Sequence, residues 1–133
     1  MKTQKLLQSQ QGFTLVEIIA VLIILGILAA VAVPRYIDLE SNARQRAIDA
    51  GISELNGRES LTWADQKISV TGYSNDTNLH NRVNYTLGGD YEWSGGGRPG
   101  LGGGTLIFRN TTSVQLDRTG STSSEPATWR RHP

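Results

Sequence analysis

The sequence predicts an α+β fold: one long N-terminal α-helix, kinked near Pro34, whose C-terminal half packs on a small antiparallel β-sheet. Three observations predict it. Eighteen of the 21 residues Phe13–Val33 are apolar. Apolar residues keep a helical spacing beyond that run, and past Lys67 the spacing changes to alternation. Twenty-one helical residues span about 31 Å, which matches a hydrocarbon core of about 30 Å. The 133 residues therefore read as a membrane segment joined to one modest polar domain. A formal net charge of +1 excludes a strong electrostatic footprint for nucleic acid. The absence of cysteine excludes a disulfide framework and a thiolate centre.

Residues 1–12, MKTQKLLQSQQG, carry Lys2 and Lys5 and no acid. Basic residues beside a membrane favour the cytoplasmic side, so this leader is expected inside the cell and the C-terminal part outside. The span 13–33 is interrupted only by Thr14, Glu17 and Gly26. A cleaved secretory signal is its rival, with Ala29, Ala30 and Ala32 as small residues for a cleavage site. The run is longer than the apolar part of such signals, about 7–15 residues. Glu17 is the informative residue. A carboxylate is costly inside a membrane, so it either reaches headgroup water at the leading end or awaits a positive partner in an assembly.

Residues 34–66 continue the helix amphipathically. Ile37, Ile48, Ile52 and Leu55 recur at helical spacing, and Asp38, Glu40, Arg44, Arg46, Asp49 and Glu54 occupy other faces. The helix is expected over Phe13–Gln66. Residues 67–118 form the small β domain. Strands are predicted at Ile68/Val70, Val83/Tyr85/Leu87, Tyr91–Trp93, Leu106/Phe108 and Val114/Leu116, with Asn110–Ser113 closing a hairpin. Nine of the fifteen glycines fall between Gly88 and Gly104, and residues 94–104 read as a mobile glycine-rich connection. The tail 119–133 is polar and expected to be poorly ordered, with Trp129 large enough to dock. A sheet this small needs a partner, and the helix face around Ile48, Ile52, Leu55 and Trp63 supplies it.

The segment KLLQSQQGFTLVEIIAVLIILGILAAVAVPRYIDLE closely resembles the N-terminus of the type IV pilins and the pseudopilins of type II secretion. The shared features are the basic leader, Gly12, Phe13, Glu17, the long apolar helix, Gly26 and Pro34. The resemblance covers about the first third of the chain. It implies a structural subunit of a pilus-like filament, not an enzyme. A membrane-embedded prepilin peptidase would cut between Gly12 and Phe13, and Phe13 would become an N-methylated N-terminus. Glu17 would pair with the Phe13 amine of a neighbouring subunit. Gly26 and Pro34 would let the helix bend or unwind among its neighbours. The implied partners are copies of the chain in a helical filament, the peptidase, an inner-membrane assembly platform, and the membrane itself before assembly. The implied course runs from the bacterial inner membrane, as a single-pass precursor with its N-terminus in the cytoplasm, to an extracellular pilus. The alternatives are a periplasmic pseudopilus that drives protein export, and an anchored binding domain that never polymerises.

No cofactor is expected. His80 and His132 lack partners at metal-ligand spacing. Calcium is the one ion to weigh, through Asp76, Asp90 and Asp117, but no acids cluster at alternating positions. No serine stands in a GxSxG context. The glycine-rich stretch lacks the lysine and following helix of a phosphate loop.

Overall fold

The computed structural model describes residues 12–133, and the rest of the leader lies outside the described residues. The chain divides into two units between Glu40 and Ser41. One helix, α1 (Leu15–Ile68), runs through the division. It starts and ends two residues later than the sequence predicted.

In the first unit α1 buries nothing. Its apolar residues are exposed on every side, Phe13 at 83% and Val31 at 62%. It is long and apolar enough to cross a membrane. A helix that is hydrophobic all round belongs in lipid or among other helices. Pro34 lies inside the helix, where it removes the backbone donor that the Ala30 carbonyl would use.

In the second unit α1 buries one stripe: Ile48, Gly51, Leu55, Glu59 and Gln66, spaced by three, four, four and seven residues as a single helix face requires. This stripe packs on a four-stranded antiparallel sheet of β1 (Tyr91–Trp93), β2 (Gly103–Phe108), β3 (Thr112–Thr119) and β4 (Thr128–Arg131), in the order β1-β2-β3-β4. The register sets Trp93 opposite Leu106, Leu106 opposite Val114, and Arg118 opposite Trp129. Ile48, Leu55, Val83, Tyr85, Trp93, Leu106, Leu116 and Trp129 form one core. Trp93 and Trp129 meet with ring centroids 5.5 Å apart. Gly51 lets the sheet approach: a Cβ there would sit 3.2 Å from Tyr91 Cε1 and 3.3 Å from Leu106 Cδ2. Gly103, at φ 128°, would drive a Cβ to 2.1 Å from the Leu116 carbonyl, so only glycine fits.

The structure departs from the sequence reading in five places. Ile68 and Val70 do not start a strand: α1 runs on to Ile68 and a turn follows, leaving both side chains exposed. Val83–Leu87 alternates in burial as predicted, yet pairs with no strand. Its carbonyls go to side chains: Arg58 Nη1 donates to Asn84 O at 2.8 Å and Thr86 O at 2.9 Å, and Trp93 Nε1 donates to Tyr85 O at 3.0 Å. A second helix, α2 (Asp76–Arg82), occupies the polar stretch before it. Asn75 caps α2 by accepting from Asn78 N at 2.9 Å. The tail is ordered. Residues 128–131 form β4, and the path to it is fastened along α1 by Trp63 Nε1 donating to Thr122 O and Lys67 Nζ to Ser123 O. The hairpin predicted at Asn110–Ser113 turns one residue earlier, because Phe108 pairs with Thr112 and the left-handed residues are Arg109 and Asn110.

The outer edge of β4 is held by a side chain of α1. Asn56 Oδ1 accepts from Trp129 N at 2.6 Å, and Asn56 Nδ2 donates to Trp129 O at 3.2 Å. The amide thus imitates a neighbouring strand at one residue. Arg131 adds bonds to Asp49 and Gln45.

Candidate functional site

The residues singled out by the sequence, Gly12, Phe13, Glu17, Gly26 and Pro34, all lie in the first unit. Gly12, Phe13 and Thr14 precede the helix and are exposed. Gly12 has nothing within 4 Å of where a Cβ would be, so the peptide between Gly12 and Phe13 is open to approach. Gly26 is equally open.

Thr14 and Glu17 form a capping box at the start of α1. Thr14 Oγ1 accepts from Glu17 N at 3.2 Å, and Glu17 Oε2 accepts from Thr14 N and Thr14 Oγ1, each at 2.8 Å. Two backbone donors that a helix start leaves open are satisfied reciprocally. Two consequences follow. The carboxylate is held in the first helical turn, where the helix dipole favours a negative charge. And both bonds use Oε2, so among the described residues Oε1 accepts no hydrogen bond. Thr14 was not singled out from the sequence. The signal was there: Thr14-Leu15-Val16-Glu17 before an apolar run is the threonine-x-x-glutamate pattern.

The second unit holds a different charged constellation, buried in the core. Arg118 on β3 bonds Glu59 on α1 through Nε at 2.6 Å and Nη2 at 3.2 Å. It bonds Asp76 on α2 through Nη1 at 2.9 Å and Nη2 at 2.8 Å. The Arg118 and Glu59 side chains are fully buried. The Tyr85 hydroxyl at 2.8 Å and Trp129 Nε1 at 3.1 Å also donate to Glu59 Oε1. Ser121 donates to Asp76 Oδ1 from its backbone and its hydroxyl, both at 2.8 Å. Partial burial alone would raise the Asp76 pKa. The bonds from Arg118 and Ser121 outweigh it and hold the carboxyl at about 2. Burial, then the bond to Glu59, pushes the Tyr85 phenol up. This triad ties three elements together with no covalent bridge.

The three acids weighed for calcium do not converge. Asp76 is held by Arg118, Asp90 by Arg109 at 3.1 Å, and Asp117 by His132 at 2.9 Å. Among the described residues no group of three or more histidine or acidic side chains could hold a metal ion.

Residues 7–33 match the family model described as the prokaryotic N-terminal methylation motif. The chain is 52% identical over 57 residues to the type IV narrow pilus major component PilA5 of Thermus thermophilus, a match covering 43% of this chain and 49% of that protein. It is 33% identical over 116 residues to fimbrial protein Q of Moraxella bovis, covering 75% of this chain and 68% of that one. A fimbrial protein of Pseudomonas aeruginosa is 33% identical over 72 residues, or 53% and 47%. The chain thus spans about half the length of the Thermus and Pseudomonas relatives and about two thirds of fimbrial protein Q. No solved structure matches it significantly.

Proposed function

The chain belongs to the type IV pilin family, and from that premise we propose that it is a structural subunit of a pilus-like filament built through the N-terminal half of α1. The precursor sits in the inner membrane with its leader in the cytoplasm. A prepilin peptidase cuts between Gly12 and Phe13 and methylates the new amine, which keeps its positive charge. An assembly platform then draws the subunit out of lipid. Lipid contact of Phe13–Val33 is exchanged for contact with the same helix of neighbouring subunits. The neighbour's Phe13 amine meets Glu17 at Oε1 while Thr14 keeps hold of Oε2. Gly26 and Pro34 give the helix the freedom to adjust to its neighbours.

The observation that supports this reading best is a single carboxylate, held by its own capping residue, on the span 13–33, whose apolar side chains are uncovered. The relatives are named as pilus and fimbrial proteins, which favours a surface pilus over a periplasmic pseudopilus.

The test is Glu17→Ala in cells with a complete assembly machine. The variant is expected to insert and to be cleaved, since Gly12 and Phe13 are untouched, and mass spectrometry should find N-methylated Phe13 as the first residue. Sheared filaments should fall at least about tenfold, the effect of about 1.4 kcal/mol on an association constant. Normal filaments from the variant would overturn the pairing. Wild-type filaments confined to the periplasm would make the chain a pseudopilin, and a processed wild type that forms none would make it an anchored monomer.

A further inference from the structure

We propose that His80 is a proton-operated latch on the glycine-rich turn: protonation of its Nδ1 expels Arg98 and frees residues 94–98 from α2. The turn joins β1 to β2 through three consecutive glycines, Gly95, Gly96 and Gly97, all at positive φ. Arg98 follows them and reaches α2. Its Nη2 bonds the His80 carbonyl and lies 3.2 Å from His80 Nδ1, its Nη1 lies 3.5 Å from the Asn81 carbonyl, and its guanidinium carbon stands 5.3 Å over the Tyr85 ring. These contacts fasten the turn to α2.

The chemistry of the partners fixes the state of the histidine. A guanidinium has only donors, so Nδ1 must offer its lone pair, and the ring proton sits on Nε2. Nε2 is buried without a hydrogen-bond partner, and the residue is only 6% exposed. His80 is therefore neutral in the closed arrangement. The charged groups facing it are Arg98 from the turn, Arg118 from β3, Glu59 from α1 and Asp76 from α2, and the Tyr85 ring lies at 4.9 Å. Both acids are already held by Arg118, so neither is left to balance a new cation.

When a solvent proton adds to Nδ1, two donors confront each other and the Nη2···Nδ1 bond breaks. Arg98 leaves with the turn, because three glycines offer no side-chain barrier to reorienting the backbone. Burial first, and then the charges of Arg118 and Arg98, pull the histidine's pKa below its ordinary 6.5. The latch is accordingly closed at neutral pH and opens as pH falls through that lowered pKa.

The test is amide hydrogen exchange in the full chain in detergent micelles, at about pH 7.5 and about pH 5, corrected for intrinsic exchange. The Ser94 and Gly96 amides, bonded to the Thr105 and Trp93 carbonyls, should lose protection at least about tenfold at the lower pH while β3 keeps its own. His80→Asn supplies an acceptor oxygen where Nδ1 stood but takes up no proton, so its turn should stay protected at both values. Unchanged protection in the wild type, or the same loss in His80→Asn, would overturn the proposal. Nitrogen-15 spectra of the wild type give a second reading that needs no variant. The Nε2–H tautomer near pH 7.5 is expected, and the Nδ1–H tautomer would overturn the latch.

Discussion

Replacing Arg118 with methionine keeps the length of the side chain and removes its charge. In the native second unit that charge meets four carboxylate oxygen contacts at 2.6, 2.8, 2.9 and 3.2 Å, and the Leu101 carbonyl at 3.3 Å. After the substitution Glu59 keeps only two neutral donors, the Tyr85 hydroxyl and the Trp129 indole. A fully buried carboxylate is then left without a countercharge, which costs about 3–5 kcal/mol. Asp76 adds less, because its side chain is 27% exposed and water can replace the guanidinium. For a unit of this size each kcal/mol moves Tm by about 4–8 °C, so a fall of at least about 12 °C is expected. Adding Glu59→Gln in the Arg118→Met background removes the stranded charge but keeps an acceptor for Tyr85 and Trp129. The double variant should recover about 2 kcal/mol, and the cycle measures the coupling. Near-ultraviolet circular dichroism of the full chain in micelles reports it, because Trp93 and Trp129 sit in the same core. A cost below about 1 kcal/mol for Arg118→Met, or a double variant no better than the single, would refute the account.

Three further outcomes are expected. Asn56→Ala strips both bonds from the Trp129 backbone and should cost about 1–3 kcal/mol, with amide exchange rising first at residues 128–131. Because Asp76 is held at about 2 against an ordinary 3.8, its contribution is complete above about pH 4 and is lost as pH falls toward 2. The denaturant midpoint of the wild type should decline in that window, and Asp76→Asn should start lower and decline less. A chelator should leave Tm unchanged, since Asp76, Asp90 and Asp117 are held apart by Arg118, Arg109 and His132.

What was legible in the sequence follows from how locally each element is determined. The apolar run and the capping box lie within a few residues of one another, so α1 can be read almost to its ends. The strands at 91–93, 103–108 and 112–119 carry their own alternation. Three features are not local. Val83–Leu87 has a strand's periodicity but no strand beside it, because Arg58 and the Trp93 indole reach its carbonyls first. α2 has seven residues and a polar composition, and only Asn75 in the capping position announced it. Ala127 and the start of β4 show the buried-exposed-buried order at Ala127, Thr128 and Trp129, but Arg130 and Arg131 within β4 belong to a stretch whose polar composition predicts a solvated tail. The buried triad was invisible for a different reason. Glu59 and Arg118 are 59 residues apart, and nothing in either neighbourhood distinguishes a charge that will be buried from one that stays in water. At the candidate assembly site the sequence offered Phe13 and Glu17, and the structure adds Thr14 as the residue that holds the carboxylate.

The grip of Asn56 on Trp129 has a consequence for the proposed filament, in which many copies of the chain would crowd together. A sheet grows by offering bare backbone at an outer strand, and such edges template cross-strand aggregates at high local concentration. Here one outer strand, β4, has its central residue occupied by an amide from the same molecule. The other, β1, is three residues long, too short to recruit a stable partner strand. The second unit therefore offers, among the described residues, no ready seam along which crowded copies could zip together.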